Sequence, residues 1–146
     1  MRIFVLADTH NHLPANIATL VAGADEIWHL GDVCAATILE TLENVGPPVT
    51  IVRGNCDSNS EWPLMVNLKR NGVMFRLVHI PPERGPENIE VLLHGHTHVP
   101  RNERRDGVLF LNPGCVTRPN RGAPASVANL EIAADGKLKW RVTTLR

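Results

Sequence analysis

Histidines and carboxylates are concentrated at two places in this chain, and both places follow an apolar run. LLHGHTHVP (92–100) contains three histidines within five positions: His94, His96 and His98. ADTHNH (7–12) contains one carboxylate and two imidazoles: Asp8, His10 and His12. Side chains two positions apart on an extended chain point to the same side, so each group is predicted to face one point. Imidazole and carboxylate together are typical ligands of divalent transition metals.

Three more apolar runs end in side chains that can bind a metal: Asp32, Asn55, Cys56, Asp57 and His79. Ligand sites in parallel sheets form at the carboxyl ends of strands, so we expect all five runs to contribute to one site. Two carboxylates, an amide oxygen and four or more imidazoles exceed the ligands of one zinc ion. They suit two ions about 3.5–4 Å apart that share a carboxylate. Mixed nitrogen and oxygen ligands indicate Mn, Fe, Zn, Ni or Co.

The first third of the chain has the pattern of strands alternating with helices. Three apolar runs are predicted as strands: RIFVLA (2–7), DEIWHLGD (25–32) and VTIVRGN (49–55). Apolar residues recur at helical spacing after Pro14 and between Ala35 and Gly46, which predicts two helices. This βαβαβ order predicts a parallel sheet with crossover helices.

The remainder of the chain has the pattern of β-hairpins. Three dipeptides typical of hairpin turns separate the runs: Asn71-Gly72, Asp106-Gly107 and Asp135-Gly136. Leu138, Trp140 and Val142 alternate with polar residues, so the last strand is predicted to have one buried face. We expect two sheets packed face to face with helices outside, in a single domain over residues 1–146.

The bulk composition restricts the class of protein. Of the 146 residues, 43% are hydrophobic and 21% charged, as in an ordinary globular domain. Lysine plus arginine and aspartate plus glutamate each number 15, so no bulk attraction to nucleic acid or an anionic membrane is expected. Five arginines in one region are either solvated surface charges or groups that bind a substrate phosphate: Arg101, Arg104, Arg105, Arg118 and Arg121.

Cysteine usage and the N-terminus indicate a cytoplasmic protein. The three cysteines have no repeated spacing, so no disulfide framework is expected: Cys34, Cys56 and Cys115. The N-terminal apolar run is too short for a signal peptide, and no stretch approaches the roughly 18 apolar residues of a membrane span.

The motifs, in their order along the chain, resemble those of calcineurin-like metallophosphoesterases. The matching motifs are DTH (8–10), GD (31–32), RGNCD (53–57), the lone His79, GHTH (95–98) and LNPGCVTRP (111–119). The resemblance spans residues 2 to about 120 and is closest to the small single-domain bacterial and archaeal phosphodiesterases. It implies an α/β fold, a four-layer α/β/β/α sandwich of two mixed β-sheets flanked by helices.

The resemblance also implies a dinuclear metal centre. The ligands of one ion would be Asp8, His10 and His98. The ligands of the other would be Asn55, His79 and His96, and Asp32 would bridge the two ions. Family members most often use Mn²⁺ in vitro, so two Mn²⁺ ions are expected, with Fe, Zn, Ni or Co as alternatives.

The activity implied is that of a metal-dependent phosphodiesterase. Two cations would lower the pKa of a bridging water, and the resulting hydroxide would attack phosphorus in line with the leaving oxygen. The residues expected to carry catalysis are Asp8, Asp32, Asn55 and His96. The expected partner is a small phosphoester, whose identity and monoester or diester class stay open. Relatives form dimers or tetramers, so a homo-oligomer is compatible with the resemblance.

Two departures from the family pattern affect the site. Cys56 stands where many relatives have a histidine that acts as general acid, so leaving-group protonation is predicted to be poor. Asp57 and His12 are the remaining candidates for that acid. His79 is followed by IPP and lies nearer to His96 than in relatives, as if a helix were trimmed. A core histidine is therefore the alternative to a metal ligand at position 79.

Two further histidines lie outside the set of expected metal ligands. His29 and His94 are predicted to be structural or to support the ligands.

The alternative function is that of a catalytically weak or inactive scaffold for protein–protein interaction, as in a eukaryotic retromer subunit of this fold. A single structural metal is a third, but it does not explain ligands from five separate strand ends.

Overall fold

The computed structural model describes residues 1–145, which form ten strands and two helices. In chain order the elements are β1 (Arg2–Leu6), α1 (Ile17–Val21), β2 (Glu26–His29), α2 (Ala36–Val45), β3 (Val49–Ile51), β4 (Met65–Arg70), β5 (Val73–Val78), β6 (Val91–Leu93), β7 (Arg101–Arg105), β8 (Val108–Asn112), β9 (Ser126–Ile132) and β10 (Leu138–Thr144).

The strands form two mixed five-stranded sheets. The first has the order β10-β9-β1-β2-β3, in which β1, β2 and β3 are parallel and β9 is antiparallel to both of its neighbours, β1 and β10. The second has the order β4-β5-β6-β8-β7, with β5, β6 and β8 parallel. Val5 of the first sheet and Phe75, Leu77 and Leu93 of the second share one fully buried core. The sheets therefore pack face to face, and the predicted α/β fold is confirmed.

Both helices lie on the outer face of the first sheet. Ile17 and Val21 of α1 and Leu42 of α2 form a cluster with Phe4 and Leu6 of β1. The outer face of the second sheet carries no helix in the part of the chain that is described. Residues 79–90 cross from β5 to β6 as irregular structure, because prolines at 81, 82 and 86 interrupt any helix. The expected fourth layer is therefore absent within residues 1–145, in line with the trimmed segment.

The elements differ from their predicted bounds mainly at their ends. α1 is a single turn that begins at Ile17 rather than at Pro14, whose carbonyl accepts the Ile17 N–H in the preceding turn. The second helix is confirmed and ends at Val45, followed by Gly46 with a φ of 125°. No helix among the described residues is long and apolar enough to cross a membrane.

The predicted hairpin turns are confirmed. Asn71-Gly72 and Asp106-Gly107 join antiparallel strands with positive φ at both positions, as in type I′ turns. The turn at Asp135-Gly136 joins β9 and β10. The prediction for β10 was wrong at Val142, which is 36% exposed because it lies beyond the core that covers Leu138 and Trp140.

Candidate metal centre

The carboxyl ends of five strands bring the predicted ligands together. In the first sheet, Asp8 and His10 follow β1, Asp32 follows β2 and Asn55 follows β3. In the second sheet, His79 follows β5, and His96 and His98 follow β6. The backbone turns sharply there, since φ is positive at five of these residues: Asp8, His10, Asp32, His96 and His98. Positive φ is uncommon outside glycine and often marks functional sites.

The HGHTH segment is not the extended chain that was predicted. β6 ends at Leu93, and φ values of 68° at His96 and 61° at His98 turn the chain back on itself. His94 therefore points into the interior, where its Nδ1 donates to the carbonyl of Gly95. Only His96 and His98 of the three histidines reach the other ligands.

One ligand group is centred on Asp8. Its Oδ1 lies 3.3 Å from Nε2 of His98 and 3.9 Å from Nε2 of His10. Both Oδ1 of Asp8 and Nε2 of His10 are buried and have no hydrogen-bond partner among residues 1–145. Buried polar atoms are normally satisfied, so these two atoms indicate a missing partner such as a cation.

A second ligand group is centred on Asn55. Its Oδ1 lies 2.9 Å from Nε2 of His79 and 3.0 Å from Nδ1 of His96. The Nδ1 of His79 donates to the carbonyl of Leu30 at 2.7 Å, so Nε2 is the ring atom that faces the other ligands. It lies near an amide oxygen and two carboxylates, and an ion bound between them would take the Nε2 lone pair in place of a proton.

Asp32 lies between the two groups. Its Oδ2 is 3.7 Å from Nε2 of His10 and 3.4 Å from Nε2 of His79. Its other oxygen accepts the backbone N–H of Cys56 at 2.9 Å. Ligands about 2.1 Å from one ion at about 90–110° are roughly 3–3.5 Å apart. The separations around Asp32 are close to that range, and the donor set fits divalent ions.

Burial and neighbouring charges shift the pKa values of the carboxylates. Burial raises the pKa of Asp8 to about 6. Burial also acts to raise the pKa of Asp32, but hydrogen bonds from His79 and the Cys56 backbone outweigh it and hold the pKa well below its usual range. Burial likewise lowers the pKa of His10 and His96, which keeps both rings neutral as metal ligands require.

Residues behind the ligands hold their loops in place. Nδ1 of the fully buried His29 accepts the Gly31 N–H, and its Nε2 bonds to the hydroxyl of Thr9 at 3.1 Å. Nδ2 of Asn112 donates to Gly95 and to Thr97. The supporting role predicted for His29 is therefore confirmed. Sequence reasoning missed Thr9 and Asn112, and only their positions within DTH and LNPGC could have indicated them.

The candidates for a general acid lie in different surroundings. The carboxylate of Asp57 accepts backbone N–H groups from Asp32, Gly54 and Cys34 at 2.7–2.9 Å, so it holds two loops rather than offering a proton. His12 is exposed beyond the DTH turn. The Cys56 thiol is exposed, and its sulfur lies within 4.8 Å of ligand atoms of His10 and Asp32.

Comparison with known proteins agrees with this geometry. A family model described as "Calcineurin-like phosphoesterase superfamily domain" matches residues 1–135. Phosphodiesterase YfcE of Escherichia coli (strain K12) is 32% identical over an alignment of 164 positions, gaps included, that covers 90% of this chain and 88% of that protein. The solved structure of Yfce, described as a phosphoesterase from E. coli, has 30% identity, a TM-score of 0.75 and coverage of 100% of both chains.

A solved structure with another name has the same fold. Vacuolar Protein Sorting 29 from Cryptosporidium parvum has a TM-score of 0.75 at 24% identity, with 97% of this chain and 96% of that chain covered. At this identity the likeness concerns the fold alone. The family model and the 32% identical relative show that the chain belongs to the calcineurin-like phosphoesterase superfamily, as a hydrolase of the phosphodiesterase type that its motifs predicted.

Proposed function

We propose that the protein is a metal-dependent phosphodiesterase with a dinuclear centre. The ligands of one ion are Asp8, His10 and His98, those of the other are Asn55, His79 and His96, and Asp32 bridges the ions. The observation that carries this proposal is the position of Asp32, whose Oδ2 lies 3.7 Å from His10 and 3.4 Å from His79. One carboxylate thus faces both ligand groups.

The residues of the chain suit the binding of a phosphodiester. When bound, two divalent ions supply a water of lowered pKa and positive charge for the phosphoryl oxygens. Asp8, Asp32 and His79 are buried, whereas Asn55 and His96 are exposed. Substrate therefore approaches from the side of Asn55 and His96, and the amide N–H groups of Asn55 donate to a phosphoryl oxygen.

The metal and the substrate class complete the proposal. Nitrogen and oxygen donors without an obligatory thiolate suit Mn²⁺, with Fe, Zn, Ni or Co as alternatives. The substrate is a small phosphodiester, in keeping with the relative named a phosphodiesterase.

The test is hydrolysis of bis(p-nitrophenyl) phosphate by metal-stripped protein, with each divalent ion added back. We expect Mn²⁺ to restore activity and both Asp32→Ala and His96→Ala to lower kcat/KM at least about a hundredfold, the usual cost of weakening a metal site. Asp135→Ala, in the exposed turn between β9 and β10, is the control and should keep full activity.

Metal analysis separates the alternatives. Two ions per chain with no hydrolysis under any metal would contradict the enzyme and support the interaction scaffold. One tightly held ion that does not affect activity would support a single structural metal.

A further inference from the structure

A cavity of about 560 Å³ adjoins the metal centre and is rich in arginine. His96 forms part of its wall, so the cavity and the Asn55 ligand group share a residue. The charged residues of the wall are three arginines and one glutamate, with a net charge of +2: Arg101, Glu103, Arg105 and Arg121. The chain as a whole has a formal net charge of zero, so positive charge is concentrated here.

The arginines of this cavity are held in different ways. The guanidinium of Arg101 donates to Glu103 at 2.9 Å and to Nε2 of His94 at 3.3 Å, and it lies 4.3 Å from the ring centre of Phe110. Arg105 donates to the other oxygen of Glu103 at 3.3 Å. The guanidinium of Arg121 has no ion pair or hydrogen bond within the described residues. In this wall Arg101 is therefore held in place, whereas the guanidinium of Arg121 is available to bind an anion.

Arginine side chains recognise phosphate oxygens through paired N–H groups. A second cavity, which contains Asn55 and His79, offers a phosphate much less: Leu64, Val78 and Ile80 form most of its wall, with Arg53 as its one charged group apart from His79. Of the two cavities beside the ligands, the arginine-rich one is thus the better match for an anion.

We infer that the arginine-rich cavity binds a second phosphate of the substrate, carried by an alcohol of the scissile diester. The inference rests on the proposed function, because the scissile phosphate must lie at the metal centre. It narrows the substrate class to phosphodiesters that also carry a phosphomonoester.

Two matched substrates test the inference. The 5′-(p-nitrophenyl) ester of thymidine 5′-phosphate and the same compound with a 3′-phosphate release the same p-nitrophenolate. The ratio of their kcat/KM values therefore measures the contribution of the added phosphate. We expect a ratio of about ten or more for the wild-type protein, since one charge-assisted contact to phosphate gives about tenfold.

A matched pair of variants locates the effect. Arg121→Gln should reduce the ratio about tenfold, by loss of one charge-assisted contact. Arg104→Gln removes the same charge from β7, but Arg104 lines a different cavity, so the ratio should stay at the wild-type value. Hydrolysis of both compounds at equal kcat/KM would overturn the inference and leave the proposed function intact. An equal loss in both variants would also overturn it.

Calorimetry gives a reading that does not depend on turnover. Deoxythymidine 3′,5′-bisphosphate should bind the metal-loaded protein about tenfold more tightly than deoxythymidine 5′-phosphate, and Arg121→Gln should remove that difference. If neither ester is hydrolysed, the proposed function is contradicted, and this measurement still shows whether the cavity binds the second phosphate. Equal dissociation constants in the wild-type protein would overturn it.

Discussion

At the scale of the single residue, Asp57 holds the loops that carry the candidate metal ligands. Its carboxylate accepts three backbone N–H groups, from Asp32, Cys34 and Gly54. Asp57→Asn replaces one oxygen by an NH₂ group that faces a donor, so we expect the free energy of unfolding to fall by about 2–3 kcal/mol. Chemical denaturation of metal-stripped protein measures the change.

The pH–rate profile distinguishes this structural role from that of a general acid. If Asp57 only holds the loops, kcat falls in Asp57→Asn and the acid and basic limbs of the profile keep their positions. Full stability with the basic limb abolished would instead assign the proton to Asp57. Asp135→Asn, in an exposed turn, is the control and should stay within about 0.5 kcal/mol of wild type.

The environment of Cys56 makes a further prediction about the leaving group. The Asp57 carboxylate is engaged by backbone donors. The pKa of the exposed Cys56 thiol is raised, because partial desolvation and the nearby Asp32 carboxylate both disfavour the thiolate. A thiol is a weak acid and donor compared with imidazolium, so leaving groups of low pKa should react best. A series of aryl methyl phosphodiesters should show kcat/KM falling steeply with phenol pKa. A flat dependence, with chemistry rate-limiting, would contradict this.

At the scale of the element, the sequence predicted which strands end at the site but not how the chain leaves them. Apolar runs fix the strands because burial on both faces leaves little choice of residue. The left-handed backbone at His96 and His98 could not be predicted from GHTH, since most histidines have negative φ and tertiary contacts select the exceptions. The regular strand assumed there gave His94 the wrong direction. The short stretch between His79 and His96, in contrast, had indicated a trimmed helix, and the prolines at 81, 82 and 86 explain why residues 79–90 form none.

The loop after β3 depends on the close approach of Gly54 to Asp32. A Cβ at Gly54 would lie 2.1 Å from Oδ1 and 2.2 Å from the backbone N of Asp32. Gly54→Ala must therefore displace Asp32, and we expect at least a tenfold loss of Mn²⁺ affinity measured by calorimetry. Gly107→Ala meets no atom within 4 Å in its turn and is the control. It should cost about 1 kcal/mol of stability, from its positive φ, with metal affinity unchanged. Equal affinities in both variants would contradict the argument.

At the scale of the whole molecule, a buried neutral histidine links stability to pH. Burial lowers the pKa of His29 from 6.5 to about 3, while the unfolded chain keeps the ordinary value. The folded state therefore binds fewer protons, so this stabilisation is complete above about pH 6.5 and is lost as pH falls toward 3. At pH 5 the loss is about 2 kcal/mol. Urea denaturation of metal-stripped protein at pH 7 and pH 5 should show a larger decrease for wild type than for His29→Gln. An equal decrease in stability from pH 7 to pH 5 in both proteins would show that His29 is not the cause.

The centre also joins the two sheets. Three ligands follow strands of the first sheet: Asp8, Asp32 and Asn55. Three others follow strands of the second sheet: His79, His96 and His98. Asp8 Oδ1 and His10 Nε2 are buried with no hydrogen-bond partner in the described part of the chain, which opposes the close packing of these loops unless a cation binds them. Ions that bind only the folded state should therefore stabilise the whole fold across both sheets.

That linkage predicts a metal-dependent melting temperature. Mn²⁺ at about a hundred times its Kd adds about 2.7 kcal/mol, which corresponds to several degrees for a chain of this size. Asp32→Ala removes the carboxylate that faces both ligand groups, so its melting temperature should respond much less to Mn²⁺. Calorimetric scans with chelator and with Mn²⁺ test this, with Asp135→Ala as the control that keeps the wild-type shift. An equal shift in Asp32→Ala would mean that the stabilising ion binds elsewhere, and the bridging role of Asp32 would have to be abandoned.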